Sequence, residues 1–185
     1  MRVLGISGSL RRDSHNTQLL RAAGMLLAPG VELVLWEGLK AVPPYDADDD
    51  TGESRPWSVR SLAAAIEDAD VVLIATPEYN HSLPGQLKNA LDWLSRPLKA
   101  SPLREKPVAV IGASTGLFGA VWAQAELRKV LGAIGARVLD FELPVGMASD
   151  AFTDSGRLAD PELEPVLADL LADLLAEAQP VPANA

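Results

Sequence analysis

The chain has 185 residues, 48% hydrophobic and 22% charged, with a formal net charge of -9, which suits a packed core and excludes a disordered polymer. That acidic balance argues against nucleic acid or an anionic membrane as partner, because both are held by long-range attraction to phosphate. With no cysteine, a disulfide framework, a thiolate zinc site and a cysteine nucleophile are all excluded.

In chain order, the apolar runs at 2–7 ("RVLGIS"), 31–36, 71–76 ("VVLIAT"), 107–113 ("PVAVIGA") and 137–143 read as five strands. Several are nearly continuous in Val, Ile, Leu and Ala, as expected for strands buried on both faces of a parallel sheet. Helical patterns fall between them. One covers 17–27, with Gly24 weakening its end. A second, at 59–69, sets Leu62, Ala65, Ile66 and Ala69 on one face. Leu87, Ala90, Leu91 and Leu94 mark a third, and Leu127, Val130, Leu131 and Ile134 a fourth that stops at Gly135. A last helix is expected over about 161–177, before a frayed tail at 179–185, with residues 1–178 forming one domain. No apolar run approaches the roughly 20 residues of a membrane helix, and the N-terminal run is too short for a signal-peptide core, so a cytoplasmic location is expected.

This alternation predicts an α/β fold of the doubly wound type. Ligands of such folds bind beyond the carboxyl ends of the strands, so the turns after strands one, three and four carry the most information. The first, "GSLRRDSHNT", offers hydroxyls, backbone N–H groups and Arg11 at the start of a helix, where an anion gains hydrogen bonds and a favourable dipole. It matches neither G-x-x-x-x-G-K-[ST] nor G-x-G-x-x-G. The second, "TPEYNHSLPG", sets Tyr79 and Asn80 at the sheet edge, and the third, "GASTGLFG", brings hydroxyls and glycine backbone to the same edge.

Together, "GSLRRDSHNT" and "PEYNHSLPGQLKNALDW" resemble the NAD(P)H-dependent FMN reductase family, which includes quinone- and chromate-reducing members, from Met1 to about Leu143. The resemblance implies a flavodoxin-like three-layer sandwich with a five-stranded parallel sheet in the order 2-1-3-4-5. It implies FMN as cofactor and NAD(P)H as co-substrate, with a quinone, free flavin or similar small-molecule electron acceptor. By match, the FMN phosphate falls to Ser9, Arg11, Ser14, Asn16 and Thr17. The isoalloxazine and ribityl chain fall to Pro77, Glu78, Tyr79 and Asn80, and closure over the ring to Ser114, Thr115 and Gly116. Arg12 is expected to face solvent. The family also implies a homodimer or homotetramer. Ala120 and Trp122 stand where relatives often carry glycine and arginine.

Flavin chemistry demands no side-chain acid or base, so no catalytic residue is named. An FMN electron carrier of flavodoxin type is the second reading, disfavoured by the arginines of the first turn. A phosphate-handling hydrolase is a distant third. No metal site is expected: His15 and His81 lack ligand spacing, and "DADDDTGE" has Thr51 and Trp57 where an EF-hand needs glycine and glutamate, so it reads as a solvated loop. Trp93 reads as a packing residue.

Overall fold

The computed structural model describes residues 1–52 and 54–178, so the expected tail at 179–185 lies outside the described residues. The elements run β1 (Arg2–Ser7), α1 (His15–Met25), β2 (Glu32–Trp36), α2 (Trp57–Glu67), β3 (Val71–Thr76), α3 (Gly85–Leu94), β4 (Pro107–Ala113), α4 (Val121–Ile134), β5 (Arg137–Val138), β6 (Pro144–Val145) and α5 (Leu163–Glu177). The sheet is parallel in the order β2-β1-β3-β4-β5, with β6 also paired to β4. This is the flavodoxin-like sandwich that the resemblance implied.

Strands β3 and β4 are buried along their whole length, as their continuous apolar composition requires. Side chains alternate between the faces. Val3, Val71, Leu73, Ala109 and Ile111 pack with Leu19, Leu20 and Ala23 of α1 and with Leu167, Leu170, Leu171 and Leu174 of α5. Leu4, Ile6, Val72, Ile74, Val108 and Val110 pack against α2, α3 and α4. Gly24 stays inside α1, where a Cβ would lie 3.1 Å from Cδ2 of Leu33; the missing side chain lets the helix close on β2.

The fifth strand departs from the expected continuous run at 137–143. Val138 pairs with Val108 and Pro144 with Gly112, so the edge advances six residues while β4 advances four. Two surplus residues cannot be paired, and the strand bulges between β5 and β6. Gln124 of α4, fully buried, supplies the missing partners. Its Oε1 accepts the Leu143 N–H at 3.1 Å, and its Nε2 donates to the carbonyls of Gly119 (3.0 Å) and Leu143 (3.3 Å). Arg128 donates to the Phe141 carbonyl at 3.2 Å.

The long segment between β2 and α2 is held by polar residues of α3. Gln86 donates to the carbonyls of Leu39 and Val42 at 2.9 and 2.7 Å. Asn89 donates to the Pro43 carbonyl at 2.7 Å and accepts the Tyr45 N–H at 2.8 Å. Trp93, buried as expected, donates its indole N–H to the same Pro43 carbonyl at 2.9 Å. Much of "GQLKNALDW" is therefore a clamp for this segment. Asp46, Asp48 and Asp49 are exposed on it, while Arg55 sits 2.9 Å from Asp50 and donates to the carbonyls of Trp93 and Arg96 behind α3. Among the described residues no helix is long and apolar enough to cross a membrane.

Candidate functional site

The turns after β1, β3 and β4 meet beyond the carboxyl ends of the central strands, around a cleft of about 150 Å³. The first turn leaves the sheet at Gly8, whose N–H donates to the Ala75 carbonyl at 2.8 Å. A Cβ there would lie 2.9 Å from Leu87 Cδ2 and 3.3 Å from Pro77 Cδ, so only glycine lets the turn pass this close to the second one. Ser14 then caps α1, its Oγ accepting the Thr17 N–H at 3.2 Å. Because the first turn of a helix has no internal acceptors, N–H groups remain free there. Among the described residues, those of Arg12, Asp13, His15 and Asn16 have no intramolecular partner, and the first helical turn carries no acidic residue. Arg11 stands beside them without a carboxylate partner among the described residues.

Asn16 does more than line the cleft. It is buried, its Nδ2 donates to the Ala113 carbonyl and its Oδ1 accepts the Ala113 N–H, both at 2.9 Å. This pair fixes the start of α1 to the end of β4, and so the first turn to the third.

The second turn is a tight reversal. Tyr79 and Ser82 exchange backbone hydrogen bonds at 3.0 and 3.1 Å, and between them Asn80 and His81 have φ of 54° and 60°. Two successive positive φ values give the type I′ geometry that asparagine tolerates best among non-glycine residues. Tyr79 is left more than half exposed, at 56%. Its N–H is committed to Ser82, and Pro77 has none, so the N–H groups of Glu78, Asn80 and His81 have no intramolecular partner among the described residues. Glu78 turns inward: its Oε2 accepts the Ala123 N–H at 3.1 Å. Ala120, with φ of 62°, offers no side-chain acceptor to α4. Glu78 supplies one and ties the second turn to that helix.

In the third turn Ser114 Oγ accepts the Gly116 N–H at 3.2 Å. The backbone of this turn is bonded to 145–148: Ser114 N–H to Val145, Ala148 N–H to Ser114, Met147 N–H to Gly116, each at 3.0 Å. Leu117, Phe118 and Trp122 stand exposed next to it, with Trp122 in edge contact with Phe118 and His81 at ring separations of 5.2 and 4.5 Å.

Of the expected residues, Ser9, Arg11, Ser14, Asn16, Pro77, Glu78, Tyr79, Ser114 and Thr115 line the cleft together. Thr17 faces an adjacent cavity instead, while Asn80 and Gly116 shape turns at the rim. His15 and Ala113 also line the cleft. His15, whose ring is parallel to that of Phe152 at 6.3 Å, follows the cap directly; its position after Ser14 was the available signal.

The sequence model of a family described as NADPH-dependent FMN reductase matches residues 1–150. The chain belongs to this FMN reductase family. It is 42% identical over 161 residues to an NAD(P)H-dependent FMN reductase of Pseudomonas aeruginosa, covering 86% of this chain and 85% of that one. It is 40% identical over 140 residues to a quinone reductase of Escherichia coli, covering 76% and 74%. Among solved structures, the flavoenzyme FerB of Paracoccus denitrificans, an NAD(P)H:(acceptor) oxidoreductase, superposes with a TM-score of 0.83 at 33% identity, over 96% of both chains.

The cleft of this FMN reductase family member fits the polar end of its family's cofactor. Free N–H groups at a helix start and an arginine with no carboxylate partner among the described residues converge there.

Proposed function

We propose that the protein is an FMN-dependent NAD(P)H oxidoreductase, passing reducing equivalents from NAD(P)H to a quinone, free flavin or similar small acceptor. The observation that carries this reading is the set of free N–H groups at the start of α1 beside Arg11, facing the 77–80 turn across one cleft. When bound, FMN would supply the redox chemistry between the nicotinamide donor and the acceptor.

The chain's own residues bind and orient. The free N–H groups of His15 and Asn16, with the hydroxyl of Ser9 and the guanidinium of Arg11, line the cleft and would hold the phosphate. Ser14 and Thr17 act beside them by keeping the helix start in place. Asn16 and Glu78 set the spacing of the turns through Ala113 and Ala123. The free N–H groups of Glu78 and Asn80 would present partial positive charge to the edge of a bound ring. Pro77 and Tyr79 would flank that ring, Ser114, Thr115 and Gly116 would close over it, and no side chain is required as acid or base.

Residues 1–178 are proposed to act as one FMN-binding domain in the cytoplasm, assembled as a homodimer or homotetramer. The exposed Leu117, Phe118 and Trp122 support assembly; a monomeric mass at micromolar concentration contradicts it. The function is tested by steady-state oxidation of NADPH and NADH with a quinone. Turnover that needs FMN supports the reading, and FMN binding without turnover makes the protein an electron carrier instead.

A further inference from the structure

A second cavity, of about 390 Å³, lies on the other side of the first turn, between it and the chain leaving β2. Ser9 and Arg11 line both it and the cleft, so the two share a wall. Its charge is opposite to that of the molecule. Arg11, Arg12, Arg21 and Lys40 surround it against the single carboxylate of Glu37, in a chain of net charge -9. None of these cations has a carboxylate partner among the described residues. Leu35, Leu39 and Trp36 add an apolar surface, and the Trp36 indole is held by a 3.3 Å hydrogen bond to Ser61 Oγ.

We propose that this cavity takes the adenosine end of the nicotinamide donor, with Arg12, Arg21 and Lys40 binding its 2′-phosphate and the Trp36–Leu39 wall seating the base. The inference rests on the oxidoreductase reading. Its volume falls within the roughly 300–1,000 Å³ range of small-molecule sites. Glu37, directly after β2, is the one carboxylate on its wall, and three arginines and a lysine outweigh it. The site thus selects the phosphorylated donor, and Arg12, expected to face solvent only, gains a ligand.

The test uses the FMN-loaded protein and two probes, 2′,5′-ADP and 5′-ADP, titrated by calorimetry. We expect 2′,5′-ADP to bind at least about tenfold more tightly, the gain of one good charge-assisted contact. Arg21→Ala/Lys40→Ala should erase that difference and raise the ratio of KM for NADPH to KM for NADH by about tenfold or more. Both side chains are exposed and unpaired, so an unchanged melting temperature verifies the fold. Equal binding of the two probes, an unaltered KM ratio in the variant, or 2′,5′-ADP binding that does not compete with NADPH each overturns the inference. Calorimetry reads the site even if neither donor is oxidised, in which case the oxidoreductase reading fails by itself.

Discussion

Two residues of the first turn separate by what they touch. Arg11 faces the cleft, while Arg12 lines only the second cavity. Arg11→Ala should weaken FMN binding about tenfold, the value of one lost charge-assisted contact, and Arg12→Ala much less; equal losses in a fluorescence titration would contradict this assignment. Asn16 is a different case. Its amide is spent on Ala113, so Asn16→Ala leaves a buried N–H and carbonyl without partners, and each such group costs about 1–3 kcal/mol. A lowered urea midpoint in the FMN-free protein is the expected result. The motif made Asn16 legible as a site residue, but its partner lies 97 positions away, and no local pattern announces so distant a contact. Glu78 was legible in the same way, and its contact with Ala123, 45 positions away, is hidden for the same reason.

At the scale of elements, β1, β3 and β4 and the buried faces of the helices were legible because burial on both faces forces continuous apolar runs, and burial on one forces 3.6-residue spacing. Helix starts were less so. α4 begins at Val121, because Glu78 caps it from another turn. The run "RVLDFEL" reads as one continuous strand because no cluster of turn residues interrupts its apolar residues, while its bulge depends on Gln124 of a different element. Gln124→Leu should therefore strip the Leu143 N–H of its partner, costing about 1–3 kcal/mol in denaturant unfolding, with faster hydrogen exchange confined to 139–145. Asn89→Ala should expose the Tyr45 amide to exchange without altering FMN affinity more than slightly. A large loss of affinity would mean that the clamp on α3 also shapes the cofactor cleft.

At the scale of the whole molecule, the sheet order sets the first, second and third turns side by side, since β1, β3 and β4 are consecutive in space. A cofactor bridging three turns couples binding to folding. FMN at about 100 times its dissociation constant should add about 2.7 kcal/mol of stability, a rise of roughly 5–10 °C in melting temperature for a chain this size. The measurement that tests the central claim most directly is an absorbance spectrum of the FMN-reconstituted protein during anaerobic titration with NADPH. Bound flavin bands that bleach stoichiometrically are the predicted result. A protein that retains no flavin, or whose flavin bands persist in excess NADPH and NADH, would contradict the account.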